Sequence, residues 1–136
     1  MAIDILRGID HTYRHDLEAS FYVLLWLCAR WGWRLSRNPK GQPKTSMLSR
    51  WYTGTYREIA QNKRGDMVQT GLEDIMEEFP LEFDCVKPLC RELRGVLFPM
   101  QNGDLFTGTR KDPEILYEPI TKAFDKAIDD MKAMEK

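Results

Sequence analysis

The chain has 136 residues, 43% apolar and 30% charged, with 20 Lys and Arg against 21 Asp and Glu for a net charge of −1. That is one domain's length with material for one core, and it excludes a disordered tail, a collagen-like fibre and a histone-like basic protein. Three cysteines, Cys28, Cys85 and Cys90, are too few for a disulfide scaffold, and the spacing from Cys85 to Cys90 matches no zinc motif.

Asp4, Arg7, Asp10, Arg14, Asp16 and Glu18 interrupt the N-terminal region, so no signal-peptide apolar segment is expected. Residues 15–31 read as the first long helix, with Asp16 at its start and Arg30 and Arg34 at its end. Its core, Ala19 to Ala29, is apolar on every face, which predicts a central helix enclosed on all sides. Eleven residues fall short of the roughly 20 that a membrane span needs. The expectation is a soluble, reduced, intracellular protein, cytoplasmic or nuclear, without a membrane partner.

Gly32 and the Pro- and Gly-rich stretch Ser36–Thr45 predict a loop, part of a basic segment over about 32–50. Ser46–Tyr52 suits a short helical turn. Thr55-Tyr-Arg-Glu58 has the capping-box pattern and opens a helix to about Lys63, closed by Gly65. Leu72, Ile75, Met76 and Phe79 mark a short amphipathic helix stopped by Pro80. Phe83, Val86, Leu89, Cys90, Leu93 and Leu97 repeat at helical spacing, with Pro88 near the first turn and Pro99 as the stop. Residues 100–112 read as a loop. Pro119 is placed to begin the last helix, 119–134, with Ile120, Phe124, Ala127, Ile128, Met131 and Met134 on one face. No alternating strand pattern exceeds three or four residues, so the expected class is all-α, one domain around one buried helix.

Charge is uneven. Residues 1–65 carry eleven basic and five acidic groups, and residues 66–136 nine and sixteen, balances of +6 and −7. No carboxylate lies between Glu18 and Glu58, where Arg30, Arg34, Arg37, Lys40, Lys44, Arg50 and Arg57 alternate with Trp31, Trp33, Trp51, Tyr52 and Tyr56. Such a segment can hold phosphates and stack bases. The total charge is far from that of a dedicated nucleic-acid domain, which favours core aromatics and a solvated cationic face.

One stretch is more specific. His11-Thr-Tyr-Arg-His-Asp-Leu-Glu-Ala-Ser-Phe-Tyr-Val-Leu-Leu-Trp26 resembles helix F in the large lobe of protein kinases. It is most similar to the His-Thr-Tyr-Arg-His-Asp-Leu-Glu-Ser run of the fungal-type protein kinase family, with Ala19 in place of that Ser. Casein kinases carry a related Asp-Leu-Glu-Ser. Met1-Ala-Ile-Asp-Ile-Leu6 resembles the end of an activation segment, with Asp4 where kinases usually carry Glu. Trp51–Ala60 with Lys63, and Leu93–Pro99, are similar to the same family, so the resemblance spans nearly the whole chain. It implies the C-terminal part of a large lobe. Asp16 would anchor the catalytic loop from beneath, and Asp4 would pair with an Arg, for which Arg91 and Arg94 are candidates. Both carboxylates are structural in the family.

The chemistry of phosphoryl transfer is missing. There is no Gly-rich phosphate loop, no His-Arg-Asp loop and no Asp-Phe-Gly, and Arg14-His-Asp16 lacks the Asn expected downstream of a catalytic loop. His11 and His15 lie outside any zinc motif, and Ser20, His15 and Asp16 on one helix cannot form a triad. The expectation is a kinase-like remnant without catalytic, cofactor or metal residues, inactive alone, that meets another protein chain or a second copy. The first alternative is the C-terminal portion of an active Ser/Thr kinase whose ATP, magnesium and catalytic segments lie upstream of Met1. The second is polyanion binding through residues 30–57.

Overall fold

The computed structural model describes residues 1–8, 12–35, 47–101, 104–107 and 113–134. The chain order is α1 (Ile3–Leu6), α2 (Tyr13–Leu35), a 3₁₀ turn (Met47–Trp51), α3 (Tyr56–Asp66), α4 (Gln69–Met76), a second 3₁₀ turn (Leu81–Val86), α5 (Lys87–Leu97), β1 (Met100–Gln101), β2 (Asp104–Leu105) and α6 (Glu114–Met134). The class is all-α. Two-residue strands β1 and β2 pair antiparallel, Met100 opposite Leu105, inside the stretch read as a loop.

Helix α2 starts earlier than Asp16 suggests. Thr12 precedes it, and the Thr12 main-chain N–H donates to His15 Nδ1 at 3.0 Å, a histidine version of the capping box. Asp16 sits in the first turn, where its charge suits the helix dipole, rather than at the cap. The helix also continues through Gly32 to Leu35, because one glycine weakens a helix by only about 1 kcal/mol against the turns already formed. Residues 36–46 of the expected loop, with Arg37, Lys40 and Lys44, lie outside the described residues.

One core joins the elements. From α2 it takes Phe21, Tyr22, Leu25, Cys28 and Ala29, and α1, α3, α4, α5 and α6 add Ile3, Ile59, Leu72, Leu93 and Ala127 among others. The enclosure of α2 is incomplete: Leu25 is fully buried, but Val23, Leu27 and Trp31 are 56%, 47% and 49% exposed. These three are four residues apart and form one stripe. An apolar run cannot disclose which of its faces the fold covers.

Helix α3 bears out the capping pattern: Thr55 Oγ1 accepts the Glu58 N–H at 3.2 Å. Gly65 lies within the helix, which ends at Asp66. A close approach instead requires glycine at Gly71, where a Cβ would sit 2.7 Å from the Asp66 main chain, so that α4 can cross the end of α3 closely. In α5, Pro88 occupies the first turn, where its missing N–H breaks no helical bond. Helix α6 starts five residues before Pro119. Leu116 and Tyr117 both donate to the Pro113 carbonyl, which opens the helix upstream and leaves Pro119 inside it. The covered side of α6 carries Leu116, Ala123 and Ala127, while Phe124 and Ile128 of the expected face are 41% and 47% exposed.

Candidate functional site

Three polar residues of α2, Arg14, His15 and Glu18, lie on its buried face. Glu18 has no exposed surface and accepts three donors: the Ile3 main-chain N–H at 2.6 Å, the Tyr22 hydroxyl at 2.6 Å and an Arg14 guanidinium nitrogen. Arg14 also donates to the Leu97 carbonyl at 2.5 Å and packs over the Phe98 ring. A carboxylate buried with one cation and two further donors has its charge and lone pairs answered, the condition under which such a group is tolerated. Burial first, and the Glu18 charge second, raise the Tyr22 hydroxyl well above the usual tyrosine range.

A second cluster continues the first. Lys63, 3% exposed, donates to the Met1 carbonyl at 2.6 Å, and its ammonium lies 4.3 Å from the Tyr22 ring centre and 5.4 Å from that of Trp51. Desolvation lowers its pKa. Tyr22 and Trp51 meet edge to face, and Trp51 Nε1 donates to Asp66 Oδ2 at 2.8 Å. Arg50 pairs with the other Asp66 oxygen. Burial raises Asp66 against the lowering effect of Trp51 and Arg50. The two clusters tie α1, α2, α3, α5 and the first 3₁₀ turn together.

The expected site residues are dispersed. Asp4 is buried and accepts the Thr107 hydroxyl at 2.9 Å; its other oxygen is 3.7 Å from His15 Nε2. With Nδ1 accepting the Thr12 N–H, the neutral ring carries its proton on Nε2, facing Asp4. Arg91 is not brought to Asp4: it grips Glu73 with two hydrogen bonds, 2.7 and 3.2 Å, which lower the Glu73 carboxyl and raise Arg91. Arg94 lies in the last turn of the same helix, α5. Asp16 is exposed on α2 and shares its open side with Ser20, Val23, Leu27 and Trp31.

Of the basic segment, Arg30 is exposed and lies over the Trp26 ring, Arg57 is exposed on α3, and Arg50 is engaged by Asp66. Arg34 falls in the last turn of α2. Sequence reasoning missed Arg14, Glu18 and Lys63 as a joined set. The i, i+4 spacing of Arg14 and Glu18 on α2 is visible in the sequence, but their partners Leu97 and Ile3, and the Met1 carbonyl that Lys63 meets, are fifteen or more residues away.

Two clefts are open to solvent. One of about 210 Å³ lies between α5 and α6 and is lined by Arg14, Leu97, Pro99, Phe106 and Leu116. The other, about 190 Å³, is lined by Cys85, Arg91, Lys126 and Asp130 among others. Both are below the roughly 300–1,000 Å³ of ligand pockets. Among the described residues no group of three His, Cys, Asp or Glu is placed to hold a metal ion. Burial pushes the Cys28 thiol up to about 11 and that of Cys90 up to about 12, so both are protonated near neutrality. No helix of the described residues is long and apolar enough to cross a membrane.

A sequence model of the family described as fungal protein kinase matches residues 1–28, which take in α1, Asp16 and most of α2. The resemblances at Trp51–Ala60 and Leu93–Pro99 fall outside the matched stretch. No curated protein and no solved structure matches the chain.

Proposed function

We propose that this chain is the C-terminal part of a kinase-like large lobe, without phosphotransfer of its own, and that it acts by binding another protein chain through the open side of α2. The observation that carries the reading is the coincidence of two features in one helix. Residues 1–28 match the fungal kinase family, and the same helix leaves Asp16, Val23, Leu27 and Trp31 exposed while its other sides are packed. An apolar stripe with a carboxylate at one end suits a partner that brings apolar side chains and unsatisfied main-chain N–H groups. In the resembled family those N–H groups belong to the catalytic loop, and Asp16 would receive them.

The test is a titration of the chain with a polypeptide carrying the catalytic-loop portion of a fungal-type kinase large lobe. Saturable binding, weakened at least about tenfold by Asp16→Asn and by Leu27→Asp, supports the reading. Equal binding by both variants, or none by the unaltered chain, refutes it.

The family match also favours a second reading, in which the chain is one portion of an active Ser/Thr kinase and ATP and magnesium belong to segments upstream of Met1. A transcript that continues in frame upstream with a Gly-rich loop and an Asp-Phe-Gly motif selects it, and an in-frame stop close to Met1 rejects it.

A further inference from the structure

We propose that the open side of α6 is a docking surface for a cationic amphipathic helix of another polypeptide, independent of the reading given above for α2. Tyr117, Phe124 and Met131 recur every seven residues on α6, and Ile120 and Ile128 fall between them at spacings of three and four. Tyr117, Phe124 and Ile128 are 41%, 41% and 47% exposed, while Ile120 and Met131 are half-buried and join the stripe to the core. From Tyr117 to Met131 the stripe runs about 21 Å, four turns of helix. The side of α6 that the fold covers, chiefly against α5, carries the small Ala123 and Ala127, and the bulky residues beside them stay open. Apolar residues scattered singly on a surface carry no message, but a continuous stripe of this length does.

The charges beside the stripe give the chemistry of the occupant. Glu118, Asp125 and Asp129 are exposed along its outer edge. Lys122 is taken up by Glu118 at 3.0 Å. Asp125 and Asp129 each follow one of the open apolar residues, Phe124 and Ile128, and enter no ion pair among the described residues. Lys126 and Asp130 are turned to another side of the helix, into the cleft that Arg91 lines. Lys132 stands beyond Ile128, in the last turn. The middle of the stripe is thus edged by negative charge, in keeping with the nine basic and sixteen acidic groups of residues 66–136.

Such an edge repels an anionic lipid surface or a nucleic acid and draws Lys and Arg. A stripe spaced by threes and fours is met by a second helix with the same spacing, whose flanking positions then face Asp125 and Asp129. The occupant is a helix of about four turns, apolar along one stripe and carrying Lys or Arg beside it. One end of the surface is already fixed: the Tyr117 ring stacks on Tyr13 of α2 with 5.9 Å between centres and 25° between planes. Less ordering is then left to be done when the partner arrives.

The test is fluorescence anisotropy of a labelled synthetic helix, with leucines three and four apart and lysines beside them, titrated with the full chain. A twin peptide carries glutamates for the lysines. Saturable binding of the lysine peptide is expected, weakened at least about tenfold by Phe124→Asp with Ile128→Asp. Asp125→Asn with Asp129→Asn should weaken it several-fold and flatten its salt dependence. Leu27→Asp, on the open side of α2, should leave it unchanged, so that failure here and failure of the reading for α2 are told apart. No binding, equal binding of the glutamate twin, or indifference to either double variant overturns the proposal. So does a dimer of the chain alone, seen by light scattering, that Phe124→Asp with Ile128→Asp dissolves, since the face then belongs to a second copy. Should that variant lose helix content, the exposed pair Asp125→Asn with Asp129→Asn and the glutamate twin decide.

Discussion

Arg14 and Glu18 lie one turn apart on α2 and close an ion pair whose side chains are 1% and 0% exposed. Neither charge reaches solvent, so each depends on the other. Glu18→Ala leaves the Arg14 guanidinium buried without a counter-charge and should lower stability by about 3–5 kcal/mol. Replacing both partners, as Arg14→Met with Glu18→Leu, should cost clearly less than the single change, since no charge is stranded. Urea unfolding followed by circular dichroism measures both.

Tyr22 gives a pH dependence with a definite sign. Its folded pKa is raised well above the usual value of 10.0, first by burial and then by Glu18. A raised folded pKa means that the contribution is fully present below pH 10 and is lost as pH climbs beyond the unfolded value. Its own share is read as the gap between the unfolding midpoints of the chain and of Tyr22→Phe. That gap should therefore be constant below about pH 9 and narrow above pH 10, set against the opposite slope that the lowered Met1 and Lys63 amino groups impose on both. The Tyr22→Phe midpoint should lie below that of the unaltered chain until the gap closes, because Glu18 loses one donor. Thermal melts between pH 8 and pH 11 decide the matter.

The two sides of α2 should respond oppositely to truncation. Leu25, with no exposed surface, sits in the core, and Leu25→Ala should cost about 2–5 kcal/mol. Leu27, two residues along and 47% exposed, should lose well under about 1 kcal/mol as Leu27→Ala. Equal losses in chemical denaturation would mean that the stripe is covered in the isolated chain.

The cationic segment offers less to a polyanion than its composition suggests, because Arg50 is engaged by Asp66. Arg50→Ala should scarcely change retention on a heparin column but should destabilise the fold by about 1–3 kcal/mol, as it strips the buried Asp66 of its cation. A large drop in retention with unchanged stability would place Arg50 in an anion site.

Much of the fold is legible in the sequence where one local rule acts alone. Thr55 with Glu58 announces a cap, and Pro88 and Pro99 bracket α5. The reading runs short where distant partners decide. The run Ala19–Ala29 discloses a helix but not that Val23, Leu27 and Trp31 stay open. Glu18 and Arg14 look like surface residues and are among the most buried, because Ile3, Tyr22 and Leu97 complete their hydrogen bonds from elsewhere. Arg91 had an acceptor closer than Asp4, Glu73 on the neighbouring α4, and a bidentate pair is settled by proximity. Pro119 signals a helix start by its residue type, yet Pro113 and its carbonyl set the start.

The most direct measurement is a calorimetric titration of the purified chain with magnesium-ATP, run beside a phosphotransfer assay on a generic protein substrate. A flat titration and no incorporated phosphate are the predicted results for a binding module. Saturable, magnesium-dependent nucleotide binding accompanied by transfer would contradict the account.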